Sequence, residues 1–283
     1  MKRSYLSFAS SLFSSNADYA GHISSRKDLS VTSIFTSCSF NTQGSSGGAI
    51  YFHDTSDSLI VSDCLFEKCN STSGYGGAIY GYNCGKLSVK ASCFIACSSP
   101  TYYFGGGMCI IGTSAVPEIT ESSFVSCSSG QDGGGMWLSG VTTTDGTNFP
   151  VKKCRFVKCI ANGIASWTTS NDADGGGLIF WENYYTLGIA NSLFAKCESK
   201  KKAGGSFLVI NSVYFDHMIR FCFYSENTAP NGRNALIHFN SSSTNLWSIV
   251  FFDSFTSDFS LSNSLAQNYA GSVPSKNDWL PNG

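Results

Sequence analysis

Charge is what this 283-residue chain has least of: 13% of its residues are Asp, Glu, Lys or Arg, and the net charge is −1. A nucleic-acid partner needs a basic patch or stripe to neutralise phosphates, so the balance excludes DNA and RNA as expected partners. Long apolar runs are missing too. No stretch approaches the ~18 residues needed to cross a bilayer as a helix, so no membrane-spanning segment is expected. Histidine is scarce, and the four present (His22, His53, His217, His238) stand in unrelated positions. There is no Asp-Asp pair, no Gly-His-Gly and no Lys-Ser/Thr after a glycine run. The usual carboxylate cluster, phosphate loop, dinucleotide fingerprint and nucleophile elbow are therefore absent as motifs, and no cofactor or metal is implied.

What the chain has in quantity is Gly (29), Phe (22) and Cys (12), and they recur in step. A Phe is followed three residues on by Cys, then by a polar gap, two or three Gly and a large apolar residue. The Phe column reads Phe35, Phe66, Phe94, Phe124, Phe156, Phe194, Phe223, Phe252. Beside it run Cys38, Cys69, Cys97, Cys127, Cys159, Cys197, then Glu226 and Phe255. The glycine column is Gly48, Gly77, Gly106, Gly134, Gly176, Gly205, closing with Asn234, and two positions later come Ile50, Ile79, Met108, Met136, Leu178, Phe207 and Leu236. Repetition at about thirty residues signals a solenoid, propeller or array.

Each repeat offers three short strands: one around the Phe, one after the glycines, and an alternating one between, as in Leu59/Val61, Leu87/Val89, Phe149/Val151 and Leu187/Ile189. Their brevity and the Gly, Ser, Asn and Asp that bound them favour strands over helices. Three strands in about thirty residues make one turn of a parallel β-helix, whereas a propeller blade needs four strands and more chain. The expectation is an all-β, right-handed, single-stranded parallel β-helix of about 8–9 coils over residues 1–255, followed by a polar cap or tail over 256–283. The segment after Met1-Lys2-Arg3 is interrupted by Ser and reads as a worn repeat (Phe13 to Asn16, then Gly21-His22-Ile23) better than as a signal peptide.

The paired motifs resemble the Phe-x-x-Asn and Gly-Gly-Ala-Ile repeats of chlamydial polymorphic outer-membrane proteins and of related proteins in other bacteria and parasitic protists. Gly47-Gly48-Ala49-Ile50 and Gly76-Gly77-Ala78-Ile79 are literal copies of the second motif, and Phe13 to Asn16 is a literal copy of the first; Cys takes the Asn slot in six other copies. The resemblance implies a cell-surface or secreted adhesive solenoid whose partners are glycans or host or surface proteins. The competing expectation, from fold analogy alone, is a polysaccharide hydrolase or lyase on the same scaffold.

For the Cys column three readings stand: metal ligands, disulfides between neighbouring coils, or a ladder of reduced, buried thiols, which is the default. The structural ladders expected are Phe66, Phe94, Phe124, Phe156 and Phe194; Cys69, Cys97, Cys127, Cys159 and Cys197; and Gly77, Gly106, Gly134 and Gly176. Contact with a ligand is expected at two insertions, Ser139 to Asn148 and Ile160 to Asp174, and at aromatics beside the second: Trp167, Trp181, Tyr184 and Tyr185. Such rings stack on sugars or anchor a protein partner; covering a corner is the plainer alternative. Lys158 and Lys196 hold the same place in consecutive repeats, within a group including Lys152, Lys153, Arg155, Lys200, Lys201 and Lys202. They are candidates for an acidic glycan, or simply a solvated surface. Asn70-Ser71-Thr72 and Asn240-Ser241-Ser242 match the glycosylation pattern.

Overall fold

A strand of three residues with Phe at its centre can bury only that one side chain, because its neighbours point the other way. Leu65–Glu67, Cys93–Ile95, Ser123–Val125, Arg155–Val157 and Leu193–Ala195 are such strands. They pair in parallel so that Phe66, Phe94, Phe124, Phe156 and Phe194 lie one above another, all fully buried. The computed structural model describes residues 16–23, 27–29, 32–141, 150–163, 175–181, 188–201, 204–210, 217–220, 222–229, 237–240, 249–252 and 255–256; among them every regular element is a strand.

The path of one coil explains the repeat. After its Phe strand the chain bends, makes a two-residue strand such as Asn70–Ser71, and turns through the glycines into the strand Ile79–Cys84. It then runs along Lys86–Lys90 and bends into the next Phe strand. Strands after the glycines form an eight-stranded parallel sheet, the glycine sheet. The Phe strands and the intermediate strands belong to one sixteen-stranded sheet, because Thr32–Phe40 is long enough to serve both faces. Its first half pairs with Leu59–Ser62 and its last two residues with Leu65–Phe66. About five turns make up the regular body, against the eight to nine expected; beyond it single strands of the outer coils pair onto the same sheets at both ends.

Sharp bends recur at fixed places and use left-handed backbone. One column precedes each Phe strand: Asp63, Ala91, Glu121, Lys153 and Asn191, with φ between 48° and 55°. The other precedes the Cys column: Lys68, Ala96, Ser126, Lys158, Lys196 and Glu226, with φ between 52° and 56°. The two motif glycines have different jobs. Gly76 has φ 63°, whereas a Cβ on Gly77 would collide with the backbone of Gly106 and Ser98 in the next coil.

The ladders match expectation in the middle and need correction at both ends. Phe40, not Phe35, heads the Phe ladder, stacked on Phe66 at 4.7 Å; Phe35 pairs instead with Val61 in the adjoining face. Cys38 stands over Cys64 rather than over Cys69, and Thr42 occupies the top of the Cys column. At the other end Tyr224 and Asn227, not Phe223 and Glu226, continue the two columns. Phe252 pairs with Arg220 in the intermediate face, Phe255 pairs with Phe223, and Ile237 rather than Leu236 follows Phe207. Near the start, Gly21-His22-Ile23 pairs with Cys38-Ser39-Phe40, and Lys27–Leu29 takes the glycine-sheet place. Where Tyr224 fills the Phe slot, and where Thr42 follows Phe40 by two residues instead of three, matching letters no longer mark matching slots. Asn16 onward is described; Phe13, Phe149, Leu187, Asn234 and the expected tail beyond 256 lie outside the described residues.

Why Cys replaces Asn is visible at the junction between Cys197 and Asn227. Asn227 Nδ2 donates to the Phe194 carbonyl one coil back at 3.0 Å, and its Oδ1 accepts from Cys197 N at 2.9 Å. The thiols make the first of these bonds. Cys97, Cys127, Cys159 and Cys197 donate to Phe66, Phe94, Phe124 and Phe156 carbonyls at 3.3–3.4 Å. A small apolar group with one weak donor satisfies a buried carbonyl without adding a second polar atom. All twelve cysteines are free thiols, eleven of them buried and Cys93 exposed. Burial pushes the Cys97 and Cys159 thiols well above the ordinary range, so they are held neutral.

Candidate functional site

In the glycine sheet the inward residues are Ile50, Ile79, Met108, Met136 and Leu178, then Phe52, Gly81, Ile110, Leu138 and Phe180. Period-two alternation sends their neighbours outward. The first outward column is Tyr51, Tyr80, Cys109, Trp137, Ile179, and the second is His53, Tyr82, Ile111, Ser139, Trp181. Neither contains a Lys, Arg, Asp or Glu over these five coils.

A third set of rings comes from the loop just before the glycines. Tyr75 packs on Tyr80 at 5.3 Å, on Phe104 at 5.4 Å, and edge-on to Tyr103 at 5.1 Å. Phe104 lies flat on Trp137 at 4.1 Å, and Trp137 stacks with Trp181 at 5.2 Å. Tyr51 stacks on Tyr80 at 5.5 Å and His53 on Tyr82 at 5.2 Å. Cys109 is the gap in the first column. The rings of Tyr80, Phe104 and Trp137 cluster around its small side chain, and it is fully buried although it faces outward. The result is a run of packed rings on the outside of the sheet, closed at Cys109, Trp137 and Ile179 and open at Tyr82, which is 38% exposed.

Electrostatically the stripe is neutral and partly dry. Burial pushes the Tyr75 and Tyr80 hydroxyls and the Cys109 thiol upward, so all three keep their protons. The Trp137 ring is 3% exposed, and among the described residues its Nε1–H has no hydrogen-bond partner.

Of the ligand-contact residues expected from sequence, Trp181 joins this stripe, half-buried at its far end. Trp167, Tyr184 and Tyr185 lie outside the described residues. Lys158 and Lys196 are exposed and occupy equivalent bends in adjacent coils, since Val157 pairs with Ala195 just before them. They follow the Phe strand, so the fold puts them on a different corner from Trp181. The basic group is also partly neutralised. Lys196 lies 3.4 Å from Glu226, and Lys153 lies 3.2 Å from Glu121. The expected insertions begin later than assigned: Ser139 to Val141 complete a strand, and Ile160–Ala161 pair with Ser128–Ser129.

Most of the stripe escaped sequence reasoning. Its signal is the residue three places after the second motif glycine, which reads Tyr51, Tyr80, Cys109, Trp137, Ile179. That column mixes residue types, so it lacks the identity that made the Phe and Gly columns visible. For the thiols, among the described residues no group of three or more His, Cys, Asp or Glu is placed to hold a metal ion. Among the same residues no helix is long and apolar enough to cross a membrane.

A stacked, parallel coil with repeating buried ladders defines the class, and comparison with known families agrees. Residues 2–184, well over half of the chain, match the family model described as right handed beta helix region. The chain belongs to this right-handed β-helix family. No curated protein and no solved structure matches it.

Proposed function

We propose that the protein is a non-enzymatic, adhesin-like scaffold, displayed at a cell surface or secreted, that binds its partner on the outside of the glycine sheet. One observation carries this reading: the outward side of the glycine sheet carries no charged residue over five coils and collects packed rings, which reach solvent at Tyr82 and partly at Tyr51, Tyr80 and Trp181. Aromatic rings with tyrosine hydroxyls at their tips suit glycans, offering apolar surface and hydrogen-bonding ends together. The likeness of the Gly-Gly-Ala-Ile repeats to those of polymorphic outer-membrane proteins supports surface display. Trp181 belongs to the contact surface, and Trp167, Tyr184 and Tyr185 extend it in the same proposal. Lys158 and Lys196 would form a separate, weaker contact for acidic groups.

The test is to pass the purified chain over arrays of glycans and of surface proteins, and to assay the bound polysaccharides for new reducing ends. Binding that Tyr82→Ala weakens, with no reducing ends released, is the expected result. Release of reducing ends would replace the scaffold by a hydrolase or lyase. Binding that Tyr82→Ala leaves unchanged would move the site off the stripe.

A further inference from the structure

The Phe strands have an outer face too, and its charges are unevenly placed. With each Phe turned inward, its two strand neighbours face outward, and Leu65, Cys93, Ile95, Val125, Val157 and Leu193 make that face mostly apolar. Ile95 is 37% exposed, and Cys93 is exposed beside it. Asp63 and Glu67 belong to the coil of Phe66, whereas Lys153, Arg155 and Lys158 gather in the coil of Phe156, three coils on. Lys153 lies 3.2 Å from Glu121, but among the described residues Asp63, Arg155 and Lys158 form no ion pair. We propose that this face is a dimer interface for a second copy of the chain, packed antiparallel, with the Phe66 coil of each copy over the Phe156 coil of the other.

Symmetry makes the pairing specific. A two-fold axis along the strand direction, midway between the coils of Phe94 and Phe124, reverses the order of the coils and keeps each outward column over itself. Ile95 of one copy then packs on Val125 of the other, and the pair occurs twice about the axis. Asp63 faces Lys153, which Glu121 already neutralises, and has the unpaired Arg155 beside it. Glu67 sits next to Lys158. Lys68 also approaches Lys158 at the rim, and Glu67, 3.9 Å from Lys68 in its own chain, offsets that repulsion.

Charge selects this order over its alternative. A two-fold axis along the coils would set every coil on itself, bringing Lys153, Arg155 and Lys158 of one copy onto the same three residues of the other. Reversing the coils places them over Asp63 and Glu67 instead. The area sets the strength. Six coils from Phe40 to Phe194 at ~4.8 Å, and the width from Asp63 to Lys68 at ~3.3 Å per residue, give roughly 600 Å² per copy. A standard interface takes ~800 Å² per partner, so the dimer is a weak, reversible one.

The experiment is sedimentation velocity of the full chain over rising concentration, with three variants beside it. The native chain is expected to pass from monomer to dimer, and Ile95→Lys to weaken that step at least tenfold. Asp63→Lys and Arg155→Glu, each alone, should weaken it as well, because each sets like charges together in both symmetric contacts. Asp63→Lys suits the fold, since Lys153 fills the same left-handed bend one column along. Mixed with each other, the two charge variants should dimerise again, because opposite charges then meet in both contacts; a misfolded variant could not do so. Monomer at every concentration would overturn the interface and leave the face to a different protein. A dimer that Ile95→Lys leaves intact would place the contact elsewhere. Charge variants that stay monomeric when mixed would overturn the antiparallel order.

Discussion

Two aromatic stacks run along this molecule, one inside and one outside, and they are built differently. Inside, Phe40, Phe66, Phe94, Phe124, Phe156 and Phe194 repeat one residue, with centroids 4.6–4.9 Å apart and rings within 6° of parallel. Outside, the stripe mixes Tyr, Phe, Trp and His, and its stacked pairs run from 4.1 to 5.5 Å with tilts of 12° to 29°. In the dry interior each ring is packed on both faces, so any change of shape is felt by two neighbours. On the outside the rings range from buried Trp137 to Tyr82, 38% exposed, and where a ring meets solvent that side imposes no uniform shape. Identity marks the ladder that holds the fold; variety marks the one free to serve something else.

Breaking the inner ladder should have the largest effect. Phe124→Ala removes a fully buried ring stacked on Phe94 and Phe156, and truncations of this kind cost about 3–5 kcal/mol. Gly77→Ala should be at least as severe, because its Cβ meets the Gly106 carbonyl and backbone cannot step aside without parting two coils. Denaturant unfolding would measure both. A loss below about 1 kcal/mol for Phe124→Ala would mean that the inner stack is not what holds the coils together.

Alkaline pH tests the same interior without mutation. Burial pushes the Cys84 and Cys154 thiols up to about 12. An unfolded thiol ionises near 8.5, so above that pH the unfolded chain gives up protons that the folded chain keeps. Stability from these groups is complete below about pH 8.5 and falls from there until the folded thiols ionise, by up to about 1.4 kcal/mol per pH unit for each. The urea midpoint should therefore drop between pH 8.5 and 10. Thiol-reactive dye should label Cys93 alone in the folded protein at neutral pH, since the other eleven are buried. Rapid labelling of several thiols without unfolding would overturn the closed interior.

Legibility followed the same divide. Phe66 to Phe194, Cys69 to Cys197 and Gly77 to Gly176 could be read as letters, because stacking at a fixed register demands the same residue each time. Phe35 and Phe223 were misassigned because the true members, Phe40 and Tyr224, sit where a coil is one residue short or where Tyr fills the slot. Of the stripe the sequence singles out only Trp181, since an outward column is held by no packing rule and mixes residue types, and its contacts join residues as far apart as Trp137 and Trp181. The placing of Lys158 and Lys196 in adjacent coils was legible from spacing, but not the carboxylate of Glu226 that meets Lys196.

A milder substitution sharpens the comparison from outside. Tyr82→Ala removes a ring that is 38% exposed and stacked on one face by His53. Its effect on unfolding should stay within about 1 kcal/mol, a fraction of that for Phe124→Ala. If Tyr82→Ala costs as much as the buried truncation, the stripe is a structural ladder that happens to face outward, and its claim as a contact surface weakens.

The smallest effect belongs to the bends, where one substitution should have opposite signs at two alanines. Ala96 has φ 52°, a conformation that costs a residue with a Cβ roughly 1–2 kcal/mol. Ala78 is fully buried next to the motif glycines and is not in the left-handed region. Glycine raises the entropy of the unfolded chain at either place, a cost of about 0.5–1 kcal/mol. At Ala96 relief of the bend outweighs that cost, so Ala96→Gly should raise the unfolding free energy by up to about 1 kcal/mol. At Ala78 there is no strain to relieve and a buried methyl to lose, so Ala78→Gly should lower it by about 1 kcal/mol or more. Equal destabilisation at both would mean that the bend carries no strain. The mixture of Lys, Ala, Ser and Glu in that column would then follow from what the side chains meet outside the coil, as it does in the aromatic stripe.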